Sequence, residues 1–175
     1  MLRRALRYSA APLSLAVMLA ACTQPPAPVQ ATRPTVSDDQ MVSSIHAAGD
    51  KEKSVIDVNP LRDPGVAALQ DAAEGDLRVG KYNDAAVKLD QALKISPDSP
   101  DLLQDRAEVA IRLKDYASAE KLAHRSWELG PRLGPLCARN WQTIAELRRH
   151  AGDDAGAADA TKSVAQCHVE GMQRY

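Results

Sequence analysis

The second half of the chain breaks into stretches rich in Ala and Leu, separated by Gly, Pro, Ser and Asp. Each stretch is long enough for a helix and carries its own start and stop signals. Asp63 caps, and Pro64 takes the first helical position, where its missing N–H costs nothing. This predicts a helix to about Val79, ended by Gly80 in a left-handed conformation. A second helix is predicted over Asn83–Ile95. Ser99 and Pro100 repeat the entry signal for a helix to Leu113, and Tyr116–Leu129 follows, stopped by Gly130 and Pro131. Lys114 stands where the turn asks for Gly, so a turn that is slightly strained or differently shaped is predicted there. A third pair is predicted from Ala138, with Trp141, Ile144 and Ala145 on its buried face and Gly152 in its turn. Its second helix, Asp154 to about His168, is thin, and Gly156 within it costs about 1 kcal/mol relative to Ala. Upstream, Ser37-Asp38-Asp39-Gln40 matches a capping box. It predicts a short helix from Asp38 to about Ala48, with Gly49 as its stop and only Met41, Val42 and Ile45 to pack. Ser54–Leu61 reads as extended.

These pairs repeat. Shifted by 34 residues, Tyr82 falls on Tyr116, Ala85 on Ala119 and Pro97 on Pro131; shifted by 38, Ala119 falls on Ala157. A recurrence near 34 residues is the mark of stacked helical hairpins. Small residues recur in step with it: Ala73, Ala107 and Ala145 in the first helices, Ala85, Ala119 and Ala157 in the second. Ala92 and Ser126 follow seven residues after Ala85 and Ala119.

Over about 100 residues this pattern resembles the tetratricopeptide repeat. The resemblance implies an all-α fold: three stacked hairpins forming a short right-handed solenoid, with repeats at about 66–99, 100–133 and 138–168 inside a domain spanning 64–168. Residues 169–175 form a C-terminal tail. Many members of the family close the open end with a further polar helix, and this tail is too short to supply one.

The N-terminus carries a different signal. Arg3, Arg4 and Arg7 precede an apolar run from Ala10 to Ala20, the pattern of a signal peptide over residues 1–21 and too short for a membrane span. Leu19-Ala20-Ala21-Cys22 resembles the bacterial lipoprotein cleavage site, which implies acylation of Cys22 (diacylglycerol and palmitate). The plainer alternative is an ordinary signal peptide with a chance Cys. Thr23, rather than Asp, follows; by resemblance to Gram-negative lipoprotein sorting this implies the outer membrane, facing the periplasm. Residues 22–63 then read as the lipidated Cys and a disordered, Pro-rich tether. Those 41 residues after Cys22 have a root-mean-square reach of roughly 35 Å.

Composition narrows the function. The formal charge is −1, and removing the signal's three arginines leaves 19 basic and 23 acidic side chains, a net −4. No basic patch points to nucleic acid. Aromatics are 3% and Phe is absent, so the core is built of Ala and Leu. His46, His124, His150 and His168 fall on different elements without ligand spacing and read as surface histidines. No nucleophile motif or phosphate loop appears. The sequence thus implies no enzyme, cofactor, metal or small-molecule substrate. Trp127 and Trp141 read as core. Cys137 and Cys167 fall at the two ends of the third hairpin, which antiparallel packing brings together. In an oxidising compartment this predicts a disulfide; the alternative is two free buried thiols.

One polar pattern remains. Gln70, Glu74 and Arg78 recur as Gln104, Glu108 and Arg112, then as Gln142, Glu146 and His150. Each trio is spaced i, i+4, i+8 on one face of a first helix. In the tetratricopeptide repeat family that face lines a concave groove that binds a protein or peptide partner. The bland alternative is a solvated face with weak i,i+4 pairs. Family members that clamp carboxylates carry Lys and Asn in the first repeat. Here Gln70 and Glu74 stand there, so a polar or mildly basic segment fits better than an acidic tail. Lipoproteins resembling this chain serve outer-membrane assembly or pilus and secretin assembly, typically with more repeats. The alternative is a regulator or accessory of a cell-wall enzyme.

Overall fold

The structure, a computed structural model, describes residues 36–52 and 62–168. These belong to one compact unit, Pro34–Tyr175. The signal peptide, Cys22, most of the tether, Ser54–Leu61 and the C-terminal tail lie outside the described residues.

The described residues form seven helices: α1 (Asp38–Lys51), α2 (Pro64–Arg78), α3 (Tyr82–Ile95), α4 (Pro100–Arg112), α5 (Tyr116–Leu129), α6 (Gly134–His150) and α7 (Asp154–Gln166). The fold is all-α. Hairpins α2/α3, α4/α5 and α6/α7 stack in chain order, with α3 on α4 and α5 on α6. The small residues make this close packing possible. Ala85, Ala92, Ala107, Ala119 and Ala145 are wholly buried, and Ser126 turns its hydroxyl to the carbonyl oxygen of Pro100 at 2.6 Å.

The caps account for the helix starts. Asp63 accepts from the N–H groups of Gly65 (2.8 Å) and Val66 (3.2 Å). Asp115 caps α5 through Ser118 N–H, and Asp153 caps α7 through Gly156 N–H. Ser99 departs from this pattern. Its side chain makes no cap bond and instead donates to Asp101 at 2.6 Å. The three intra-hairpin turns share one conformation, with φ of 75° at Gly80, 61° at Lys114 and 79° at Gly152. Lys114 therefore carries a side chain in the left-handed region, the strain its sequence position predicted.

Two boundaries differ from the sequence reading. Helix α6 starts at Gly134, not Ala138, because Pro135 is tolerated in a first turn. The added turn brings Cys137 and Ala138 against Ala48 of α1. Gly49 does not stop α1, which continues to Lys51. A Cβ at Gly49 would sit 2.8 Å from Cγ of Arg139, so this Gly permits close approach of α1 to α6.

A disulfide joins Cys137 at the start of α6 to Cys167 just past α7, with Cα atoms 5.6 Å apart. It closes a loop of 30 residues around a hairpin whose second helix buries only Ala157 and Ala160. Replacing both cysteines by Ser is expected to cost about 3–4 kcal/mol in a urea melt. A gain of two hydrogens in intact mass on reduction checks the bond. Two thiols that alkylate without reductant would contradict it.

Candidate binding groove

Helix α1 gives the inner face of the stack its shape. Its capping box is complete: Ser37 Oγ accepts from Gln40 N–H, and Gln40 Oε1 accepts from Ser37 N–H. Met41, Val42, Ile45 and Ala48 recur at helical spacing and are buried. Met41, Val42 and Ile45 meet Ala110 and Ile111 of α4, Ala119 of α5 and Leu147 of α6. The N-terminal end is tied to the end of α4 and the start of α5 by Asp39 with Arg112 and by Tyr116 donating to Asp38 at 2.8 Å. At the other end, His168 meets Glu52 at 2.9 Å. The helix therefore runs antiparallel to α4 and α6, along the face their ladder residues occupy.

A polar network lies beneath it. Arg139 of α6 donates to Glu108 Oε1 (Nη2 at 2.7 Å, Nε at 3.0 Å) and to Asp105 Oδ1 at 2.9 Å. Asp105 also accepts from Gln70 Nε2 at 3.0 Å, and Gln70 accepts from Arg62 at 2.5 Å. On the far side of Glu108, His46 Nε2 approaches Oε2 at 2.6 Å. Gln104 Nε2 bridges Glu108 and Thr143. Four helices, α1, α2, α4 and α6, are thus joined by one chain of hydrogen bonds.

Burial and pairing set the charges here. The hydrogen bond to Glu108 raises the His46 pKa above its usual value. Burial alone would lift Glu108, but Arg139 and His46 outweigh it and hold the carboxyl below its usual range. Burial raises Asp105 even though Arg139 holds one of its oxygens. Burial also works against the Arg139 charge, but the two carboxylates more than offset it and raise its pKa.

The ladder divides in two. In the second and third hairpins Gln104, Glu108 and Glu146 are buried. Gln142 donates to Glu146, which also pairs with Arg149. Arg112 holds Asp39 and stacks over the Tyr82 ring at 5.2 Å. His150 packs its ring 4.2 Å from that of Tyr116. In the first hairpin, Gln70 is buried in the network, while Glu74 and Arg78 are exposed and make no ion pair among the described residues. Between α1 and α2 an open cleft of about 600 Å³ remains. Val42, Ala73, Leu77, Leu89 and Val109 give it an apolar lining, and Glu74 and Arg78 stand on its α2 wall.

A tetratricopeptide repeat model matches residues 76–132, from the last turn of α2 through α5. The globular C-terminal domain of P. aeruginosa LpoP has a similar structure. It aligns at 33% identity with a TM-score of 0.57, covering 60% of this chain and 99% of that one. The chain belongs to the tetratricopeptide repeat family. No curated protein matches it.

Within this tetratricopeptide repeat stack, the hairpins follow the family pattern and α1 adds to it by lying along the ladder of the second and third repeats. The sequence reading missed Arg62, Asp105, Arg139 and Thr143, and took His46 for a plain surface residue. The one available signal was α1 itself: an amphipathic helix with Met41, Val42 and Ile45 on one side needs an apolar surface to cover. Trp127 and Trp141 do pack against core residues, edge to face at 5.0 Å, with Arg132 over the Trp127 ring at 3.7 Å. Among the described residues no helix is long and apolar enough to cross a membrane.

Proposed function

We propose that this protein is a non-catalytic adaptor, held at the periplasmic face of the outer membrane by lipid on Cys22. In this reading the cleft between α1 and α2 binds a segment of a protein partner. The observation that carries it is the pair Glu74 and Arg78, unpaired among the described residues and set beside an apolar lining of Ala73, Leu77, Leu89 and Val109. Such a surface fits a segment with an apolar face and a basic group near Glu74. The second and third ladder trios act differently here: Glu108 and Arg112 hold α1 and shape the cleft.

A cell-wall enzyme fits the partner's place better than a secretin or outer-membrane assembly machine. Three hairpins are fewer than those assemblies' lipoproteins typically carry, and the folded part aligns with nearly the whole LpoP globular domain. Photo-crosslinking from position 77, on the apolar lining of the cleft, tests the reading in intact cells. Glu74→Lys and Arg78→Glu are expected to lose the adduct while the melt stays within a few degrees. Lys121→Glu, exposed on α5 and outside the cleft, is expected to keep it. Equal adduct yields from all three would place the binding surface elsewhere.

The anchor has its own test. Cys22→Ser is expected to abolish acylation and release the protein from the outer-membrane fraction. Retention there by the unacylated variant would refute the lipoprotein reading.

A further inference from the structure

Helix α1 both walls the cleft and covers the α4 part of the ladder, through His46 on Glu108 and Asp39 on Arg112. Its contact with α4 has an uneven construction. The His46 side chain is 57% exposed, whereas that of its partner Glu108 is 8% exposed. The imidazole can therefore exchange its proton with solvent while the carboxylate it serves stays covered. The charges beneath α1 also need that proton. Asp105 and Glu108 bring two negative charges to one guanidinium, Arg139. A charged His46 brings a second cation directly onto this group.

We propose that α1 is a proton-held plug: it covers the ladder residues of the second hairpin, Glu108 and Arg112, while His46 is charged and loosens when the imidazole is neutral, opening the short cleft into a longer groove. This inference rests on the groove reading above and names its regulation.

The groups around His46 support the assignment. From α4 it faces Glu108 and Asp105, and from α6 it faces Arg139. Across the open cleft stand Glu74 and Arg78 of α2, and on α1 itself Asp50. The remaining charges at α1 sit at its ends: Asp39 with Arg112, Asp38 with the Tyr116 hydroxyl, Lys51 in the last turn, and Glu52 with His168. At mid-helix, His46 is the group whose usual pKa of 6.5 lies in the physiological range. A lone helix of 14 residues is marginal in water, so α1 depends on what holds it to α4 and α6. The raised pKa of His46 fixes the direction. Its contribution to docking is fully present below about pH 6.5 and fades as pH rises through the higher docked value.

Hydrogen exchange of the whole protein by mass spectrometry, at pH 6 and pH 8 and corrected for intrinsic rates, reads docking without any partner. Protection of residues 38–51 is expected to fall at pH 8, by up to about tenfold for each unit by which docking raises the imidazole pKa. Protection of α3 stays constant. His46→Gln keeps a hydrogen-bond donor without a titrating charge and should remove the pH dependence; His168→Gln should keep it. Equal α1 protection at both pH values in the natural protein, or the same pH dependence in His46→Gln, overturns the plug. Neither result touches the cleft reading, which fails only by the crosslinks from position 77.

Discussion

Replacing Arg139 by Met is expected to destabilise the protein by about 2–4 kcal/mol at neutral pH, because it takes the guanidinium from buried Glu108 and from half-buried Asp105. Arg139 makes three hydrogen bonds to Asp105 and Glu108, and its side chain is 24% exposed. Met fills much the same space, so the loss is one of charge rather than volume. The pH dependence separates the two. In the variant, Asp105 loses the cation that opposed its burial and its folded pKa rises further above the unfolded one, while Glu108 keeps only His46 to hold it down. Their penalty is then absent below the unfolded values, near pH 4, and grows as pH rises through the folded ones. Urea melts at pH 4.5 and pH 7.5 are expected to show a much smaller deficit at the lower pH. A deficit of equal size at both would assign Arg139 to packing alone.

The same cluster shows where the sequence stopped being legible. The hairpins were readable because their signals are local or periodic. Asp63 and Pro64 start a helix whatever surrounds them, and Ala85 and Ala119 repeat at a fixed distance because each hairpin meets its neighbour in the same way. The strain at Lys114 followed from comparing it with Gly80 and Gly152. The buried network has no such signal. Glu108 lies 31 residues from Arg139 and 62 from His46, and nothing in the spacing links them. It has the look of a solvated helix residue because its own helix does expose that face; α1 buries it.

Gly49 and the start of α6 misled for a related reason. Gly followed by polar residues is a standard helix stop, but Gly49 is small because Arg139 crosses there. Residues 130–135 offer two Gly-Pro pairs, and the sequence does not say which precedes the helix. Pro135 falls in the first turn of α6, where no N–H is missed. The choice matters for the site: starting α6 at Gly134 adds Cys137 to the helix ahead of Ala138 and Arg139, and Cys137 and Ala138 then meet α1's Ala48 while Arg139 reaches α4's carboxylates.

Ala119→Arg is expected to have the largest effect of any single substitution considered, about 4–5 kcal/mol or more. Ala119 has no exposed surface. It sits where α5 meets α1, α4 and α6, in one cluster with Met41, Ile45, Ile111 and Leu147. A longer side chain there has two courses. It can stay inside, burying a guanidinium among apolar groups with no carboxylate in that cluster. Or it can push α1 off, exposing Met41, Val42 and Ile45 and uncovering Glu108. Both are costly, and the second opens the structure along the seam between the repeats and α1. Thermal melts followed by circular dichroism at 222 nm should show a lower midpoint, with loss of α1 protection in hydrogen exchange before the hairpins open. Ala158→Arg is the control: Ala158 is exposed on α7, and its change should stay within about 0.5 kcal/mol. An Ala119→Arg melt that coincides with that control would mean that α5 does not turn this residue inward, and the helical register built on the 34-residue recurrence would be wrong.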